Sequence, residues 1–442
     1  MRTDHRGLPV STDSPAAMDA INHFACGLPN YAPGLDAVIT AAEAHPDCGL
    51  LQIHAALLFT FSQNASVIEK SARPFLARAR AATLNDRERS LLEVAEAWSR
   101  SDFARAKAIL AAYAWPRDLI AAKVGEFLYF EAPDPERHRA FMDRLAEANR
   151  DSSDFLAMHA FAHELAGDRS GGEEIAERAL ALDPDTPWAD HALAHIYVNT
   201  GRMAEGIARL GRAAPAWEAH DFGIRVHLWW HAALFHLAAL DLARVRALFA
   251  ERLWVDRLDD MFTHTDAISL LWRLDLVGAS DNAAWAAVVP RAEAVGQEAV
   301  FPFLACHYVY ALARGGRERE ARQVLAAMRA RGQAASGDAA RHWLGIGVPL
   351  AEGCLASATG DHARAASVMA PVMDEAGRIG GSDAQNDVLA QTWIVALARS
   401  GQRDKANAAV MRRVGARPLT PQEEAWLEVA REVAWLKGAG RG

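Results

Sequence analysis

Residues 155–184 run FLAMHAFAHELAGDRSGGEEIAERALALDP. Apolar side chains recur at helical spacing on both sides of Gly167-Asp168, and alanine, the residue with the highest helix propensity, is abundant throughout. The stretch therefore predicts a helix, a two-residue turn at Gly167-Asp168, a second helix, and a stop at Asp183-Pro184. The next stretch repeats the plan. WADHALAHIYVNTGRMAEGIARLGRAA, Trp188 to Ala214, places its turn at Gly201.

Gly167 and Gly201 stand 34 residues apart, which is the tetratricopeptide period. Ala-Leu-Ala-Leu-Asp-Pro at 179–184 is the ending that such a repeat carries. Stepping back by 33 residues reaches Asp134 in a Pro-Asp-Pro turn and then Ser101 in WSRSDFARAKAIL, so the spacing persists over about four units. Downstream the turn signals are Leu240-Asp241, Gly278, Gly315-Gly316, Gly360-Asp361 and Gly401, with gaps of 37 to 45 residues. No alternating stretch of strand type has useful length. The expectation is an all-α superhelix, a solenoid of tetratricopeptide-like hairpins over residues 1–442. Residues 1–30 form an N-terminal cap segment, 31–214 the regular repeats, and 215–442 longer, irregular hairpins with a C-terminal cap. A single hairpin cannot bury its apolar face, so neighbours stack and the first helices of successive units line an inner surface.

Composition narrows the function. The chain of 442 residues is 51% hydrophobic and 23% charged, the balance of a protein with a core. A net charge of -9 argues against a nucleic-acid partner, which needs a basic face to release counterions from phosphate. Four cysteines, Cys26, Cys48, Cys306 and Cys354, form no CxxC pair and read as buried or free thiols in a reducing compartment. The opening MRTDHRGLPVSTDSP has no apolar core of a signal peptide, and no apolar run reaches the roughly 18 residues of a membrane span. The expected place is the cytoplasm, with no membrane partner. Neither GxGxxG after a strand, GxxxxGK[ST], GxSxG nor HExxH occurs.

Several segments, taken in order, resemble the tetratricopeptide-repeat protein 38 family. They are GLPVSTDSPAAMDA (7–20), WADHALAHIYVNTGRMAEGIARL (188–210), HLWWHAALFHLAALD (227–241), DAISLLWRLDLVG (266–278) and GGSDAQNDVLAQTWIVALARSGQ (380–402). The resemblance implies a helical-repeat fold and no particular reaction. In the family pattern a polar Asn-Asp-type pair precedes the histidine that corresponds to His307. Here Ala305-Cys306 precede it, a departure from that pattern.

The 17 histidines carry the chemical signal. Three pairs stand at i, i+4, namely His159/His163, His191/His195 and His227/His231, where chance placement gives about 0.7. That spacing puts both rings on one helical face. Positions ten and six before the turn glycine face inward, and His191 and His195 hold them relative to Gly201. His159 and His163, eight and four before Gly167, fall on the face that packs against the partner helix, while Glu164 faces inward. The register at His227, Trp230 and His231 is fixed only to within one residue. Thr265 or Asp266 is expected to cap a helix, Ser382 and Gln385 to open another, and His264, His342 and His362 to lie in turns or on the surface.

The candidate ligand-binding residues are therefore Glu164, His191, His195, His227, Trp230, His231, Asp266 and His307. They suit a helical-repeat binding protein that holds a small polar ligand or a peptide in an inner groove. The alternative is an enzyme that uses the histidines for acid–base or metal-assisted chemistry on a small metabolite. A divalent metal is one cofactor that such histidines could hold, with Asp190, Glu164 or Asp266 as a further ligand. The oligomeric state, a homodimer included, is left open.

Overall fold

Each predicted turn except the one at Asp134, where φ is -152°, holds a left-handed residue. Gly167, Gly201, Gly278, Gly316, Gly360 and Gly401 have φ between 74° and 85°, and Ser101 and Leu240, at 57°, do the same work elsewhere. That region is open to glycine and strained for residues with a Cβ. At Gly167 the helix closes as Asp168 N–H donates to the His163 carbonyl (3.0 Å) and Gly167 N–H to that of Glu164 (2.8 Å). The Asp168 side chain then accepts from Gly171 N and caps the next helix. Asp102, Asp241 and Asp361 cap their helices in the same way. A glycine-aspartate signal is thus a C-cap and an N-cap fused into two residues.

The computed structural model describes residues 2–254 and 261–431. Its helices are α1 (Pro15–Asn30), α2 (Ala37–Ala44), α3 (Gly49–Thr60), the single turn α4 (Ala65–Val67), α5 (Arg73–Ala81), α6 (Asp86–Ser99), α7 (Phe103–Ala111), α8 (Leu119–Glu131), α9 (Pro135–Ala146), α10 (Ser153–Leu165), α11 (Arg169–Leu182), α12 (Pro187–Thr200) and α13 (Met203–Trp217). They continue as α14 (Phe222–Ala238), α15 (Leu242–Leu248), α16 (Met261–Leu276), α17 (Asn282–Val295), α18 (Pro302–Arg314), α19 (Glu318–Ala334), the short α20 (Gly337–Ala340), α21 (Val348–Ala358), α22 (His362–Met369), α23 (Asp383–Arg399), α24 (Arg403–Val414) and α25 (Pro421–Arg431). Among the described residues the one strand pairing is Arg2–Thr3 against Pro9–Val10. The fold is an all-α tetratricopeptide-like helical repeat, with α8, α10, α12, α14, α16 and α18 leading successive hairpins. No helix among the described residues is long and apolar enough to cross a membrane.

The chain forms two compact units, residues 1–196 with 212–228 and residues 197–211 with 229–442. In the first, α11 lies so close to α10 that a Cβ on Gly172 would stand 2.9 Å from the Ala160 carbonyl oxygen. The N-terminal strand is anchored by Arg87, which is buried and donates to Asp4 (3.0 Å) and Asp118 (2.7 Å). In the second unit Trp272 stacks on Tyr310 with ring centres 4.1 Å apart. Every residue from Thr263 to Leu276 is buried, so α16 is enclosed on every face.

That enclosure corrects two expectations. His264 is fully buried, not a turn or surface residue. Thr265 and Asp266 lie inside α16 (Met261–Leu276) and not at its start. A helix buried all round has no polar face, so periodicity gives no sign of where it starts. Ser382 does cap α23, with Gln385 completing the reciprocal capping pair.

Candidate functional site

The eight candidate residues divide between the units. Glu164, His191, His195 and His227 belong to the first, and Trp230, His231, Asp266 and His307 to the second. All eight are buried, none more than 2% exposed, so they sit beneath the surface and do not line an open trough. Large aromatic neighbours account for this.

In the first unit three leading helices bring four titratable side chains together. His191 and His195 on α12 have ring centres 4.7 Å apart. His227 on α14 places its Nε2 3.1 Å from that of His191, so one of the two nitrogens donates and the other accepts. The Glu164 carboxylate on α10 lies 3.6 Å from His195 Nδ1. Phe161 presents its edge to both α12 histidines, at 4.7 and 5.0 Å. Trp188 stacks flat on His191 at 3.9 Å.

Trp188 extends the cluster to α8. Its indole N–H donates to Glu126 (2.6 Å), which also receives a bond from the buried Lys123 ammonium (2.6 Å). Lys123 further donates to the Tyr31 hydroxyl at 2.5 Å. Its charge lies 4.1 Å from the Trp188 ring centre and 4.2 Å from that of Tyr31. Burial pushes the Lys123 pKa down, with Glu126 acting against it. Asp190 takes a different part, accepting from the Trp217 indole at 3.2 Å. His159 and His163 turn to Asp143 of α9, at 2.7 and 2.9 Å, and stand apart as a second constellation.

No family model matches this chain. Among solved structures it is similar to a monomeric IFIT1 mutant with Gppp-AAAA, at 13% identity, TM-score 0.43, and 97% coverage of each chain. The human IFIT1 dimer with m7Gppp-AAAA gives 12% identity, TM-score 0.43 and the same coverage. The P58(IPK) TPR domain gives 14% identity and TM-score 0.23, covering 96% of this chain and all of the other. Superpositions this loose carry no argument about what this chain binds.

In the second unit Trp230 and His231 meet edge to face, 4.8 Å between centres. The Arg273 guanidinium sits 5.4 Å from the Trp230 ring centre. Arg273 is wholly buried and donates to Ser269 and to the Ala384 carbonyl (2.7 Å). Burial lowers its pKa to about 10, against the opposing fields of Asp387 and Asp266. His307 donates through Nδ1 to the Phe303 carbonyl (3.0 Å) and packs on Trp272 and Phe303, while its buried Nε2 has no hydrogen-bond partner among the described residues. Burial holds its pKa at about 4, so it is neutral at pH 7. Cys306 and Cys354 are buried free thiols, and burial raises the Cys354 pKa well above the usual range.

Lys123, Glu126, Tyr31, Trp188 and Arg273 were not among the sequence candidates. One signal was available for two of them. Lys123 and Glu126 stand three apart in LIAAKVGEFLYFE, an otherwise apolar helix, and so share a face that has to be buried.

Proposed function

We propose that the chain is a helical-repeat binding protein whose leading helices α8, α10, α12 and α14 hold a small polar ligand in the first unit. One observation supports this most: Glu164, His191, His195 and His227, from three successive leading helices, converge in the protein interior. Apolar side chains would fill such a position at less cost, since each buried polar group has to be compensated. Exchangeable imidazole donors and acceptors beside flat aromatic surfaces suit a small molecule with both polar and planar parts. A peptide is the second occupant of this kind.

The enzymatic alternative has one observation on its side. The Nε2 atoms of His191 and His227, 3.1 Å apart, form a relay through which a proton can pass. Nucleic acid stays outside the proposal, because a net charge of -9 argues against it. We place the chain near the tetratricopeptide-repeat protein 38 family on its ordered segments, and in the cytoplasm on its four free thiols.

The test pairs native mass spectrometry of the purified chain with thermal shift against dicarboxylates, nucleosides and short peptides. The wild type is expected to carry or gain a small molecule that raises its melting temperature. The double variant His191→Leu/His227→Leu is expected to stay folded and lose that gain. A variant as responsive as the wild type would overturn the proposal and leave the cluster a packing feature.

A further inference from the structure

A second constellation lies on the rim of the first unit and shares no residue with the cluster just described. Asp143 on α9 presents Oδ1 to the Nε2 of His159 (2.7 Å) and the Nε2 of His163 (2.9 Å), both on α10. The two Nε2 atoms are 3.0 Å apart. Three ligand-type atoms thus form a nearly equilateral triangle. An octahedral ion with bonds of about 2.05 Å spaces neighbouring ligand atoms about 2.9 Å apart, whereas a tetrahedral one spaces them about 3.3 Å. The triangle has the size of one octahedral face.

The tautomer follows from a fourth residue. His163 Nδ1 lies 2.9 Å from Asp168 Oδ2. A carboxylate only accepts, so Nδ1 carries a hydrogen toward Asp168, and Nε2, which bonds to Asp143 only while protonated, offers its lone pair to an ion that takes that proton's place. Asp168 is itself held, because its other oxygen accepts from Gly171 N (3.1 Å) as the cap of α11. A carboxylate behind a ligating imidazole is the arrangement that fixes metal-binding histidines. Two imidazole nitrogens and one carboxylate facing a common point beside the half-exposed Asp143 suit a cation that replaces the protons between them.

We propose that Asp143, His159 and His163 form a facial two-histidine, one-carboxylate site for a divalent first-row transition ion, with Asp168 as a positioning residue behind His163. Three coordination positions face outward and take water or an exogenous ligand. The site joins the second helix of one hairpin to the first helix of the next, so an ion there staples two repeats together.

The experiment titrates Ni2+ and Zn2+ separately into the chelator-treated full chain. Calorimetry gives the stoichiometry and thermal melting gives the linkage. One ion per chain is expected to bind and raise the melting temperature. His159→Ala and His163→Ala should each weaken binding at least 100-fold, and Asp168→Asn by about 10- to 100-fold. Circular dichroism of each variant without metal controls for folding. His191→Ala serves as the reference that leaves this site intact and should bind as the wild type does. No ion bound below about 100 µM would overturn the proposal and leave a hydrogen-bonded cluster only. Undiminished binding by His159→Ala and His163→Ala would overturn it equally, and its loss in His191→Ala would move the ion to the buried cluster.

Discussion

His159/His163 and His191/His195 have the same spacing, lie on successive leading helices, and end in opposite surroundings. The α12 pair is enclosed by Phe161 and Trp188 and is at most 1% exposed. The α10 pair reaches the rim, beside the half-exposed Asp143. The difference comes from register. Counted from the turn glycine, the pairs are offset by two residues, and two residues rotate a side chain by about 200° around the helix. Histidine spacing alone therefore says nothing about role. Distance from the turn decides whether a pair meets the next leading helix or the preceding hairpin.

A charge placed at each position makes the contrast measurable, and the effect is the largest we expect. His191→Lys buries an ammonium against Trp188 and Phe161 and should cost about 3–5 kcal/mol. His163→Lys puts the same group between Asp143 and Asp168 near water and should change stability by no more than about 0.5 kcal/mol. Urea unfolding of the two variants checks this. Equal losses would show that the pairs share one environment.

The hairpins were legible because each turn is written locally. A glycine beside an aspartate cap marks Gly167 and Gly360 in the sequence as it does in the structure, and at Leu240, held at positive φ despite its side chain, the cap Asp241 carries the signal. The enclosure of α16 was not legible. His264, Thr265 and Asp266 look polar enough for a surface, yet the helix is surrounded, and only tertiary packing shows that. Nor was the partner of the rim pair. Asp143 stands 16 and 20 residues from His159 and His163, on the second helix of the preceding hairpin. Periodicity within a helix carries no information about which neighbour's carboxylate arrives.

Acid sharpens the contrast between enclosed and rim histidines. His54 stacks on Phe24, and His138 on Tyr129, and both are buried. Burial takes each to a pKa of about 3, below the unfolded value near 6.5. Between these values the unfolded chain binds more protons, so the stability these groups contribute is present above pH 6.5 and is lost as pH falls toward 3. Each group adds a slope of about 1.4 kcal/mol per pH unit in that window. His54→Phe should remove one such slope and make the chain relatively more stable at pH 5.5 than at pH 8. Denaturant titrations at the two pH values provide the check, and a parallel shift at both would assign His54 no titrating role.

The smallest effect separates the two tasks of Asp168. It caps α11 through Gly171 N and holds His163 Nδ1. Asp168→Ala removes both and should cost about 1 kcal/mol, a usual loss for a cap. Asp168→Asn keeps a side-chain oxygen for the cap and should lose less than half of that. An amide oxygen can still accept from His163, but without charge, so the imidazole is held less firmly in the tautomer with Nδ1–H. The nitrogen NMR shifts of His163 should then move toward a mixture of tautomers in Asp168→Asn, while those of His191 stay unchanged. If His163 keeps its tautomer in both variants, Asp143 and not Asp168 sets it, and the rim pair is oriented from the preceding hairpin instead of from its own turn.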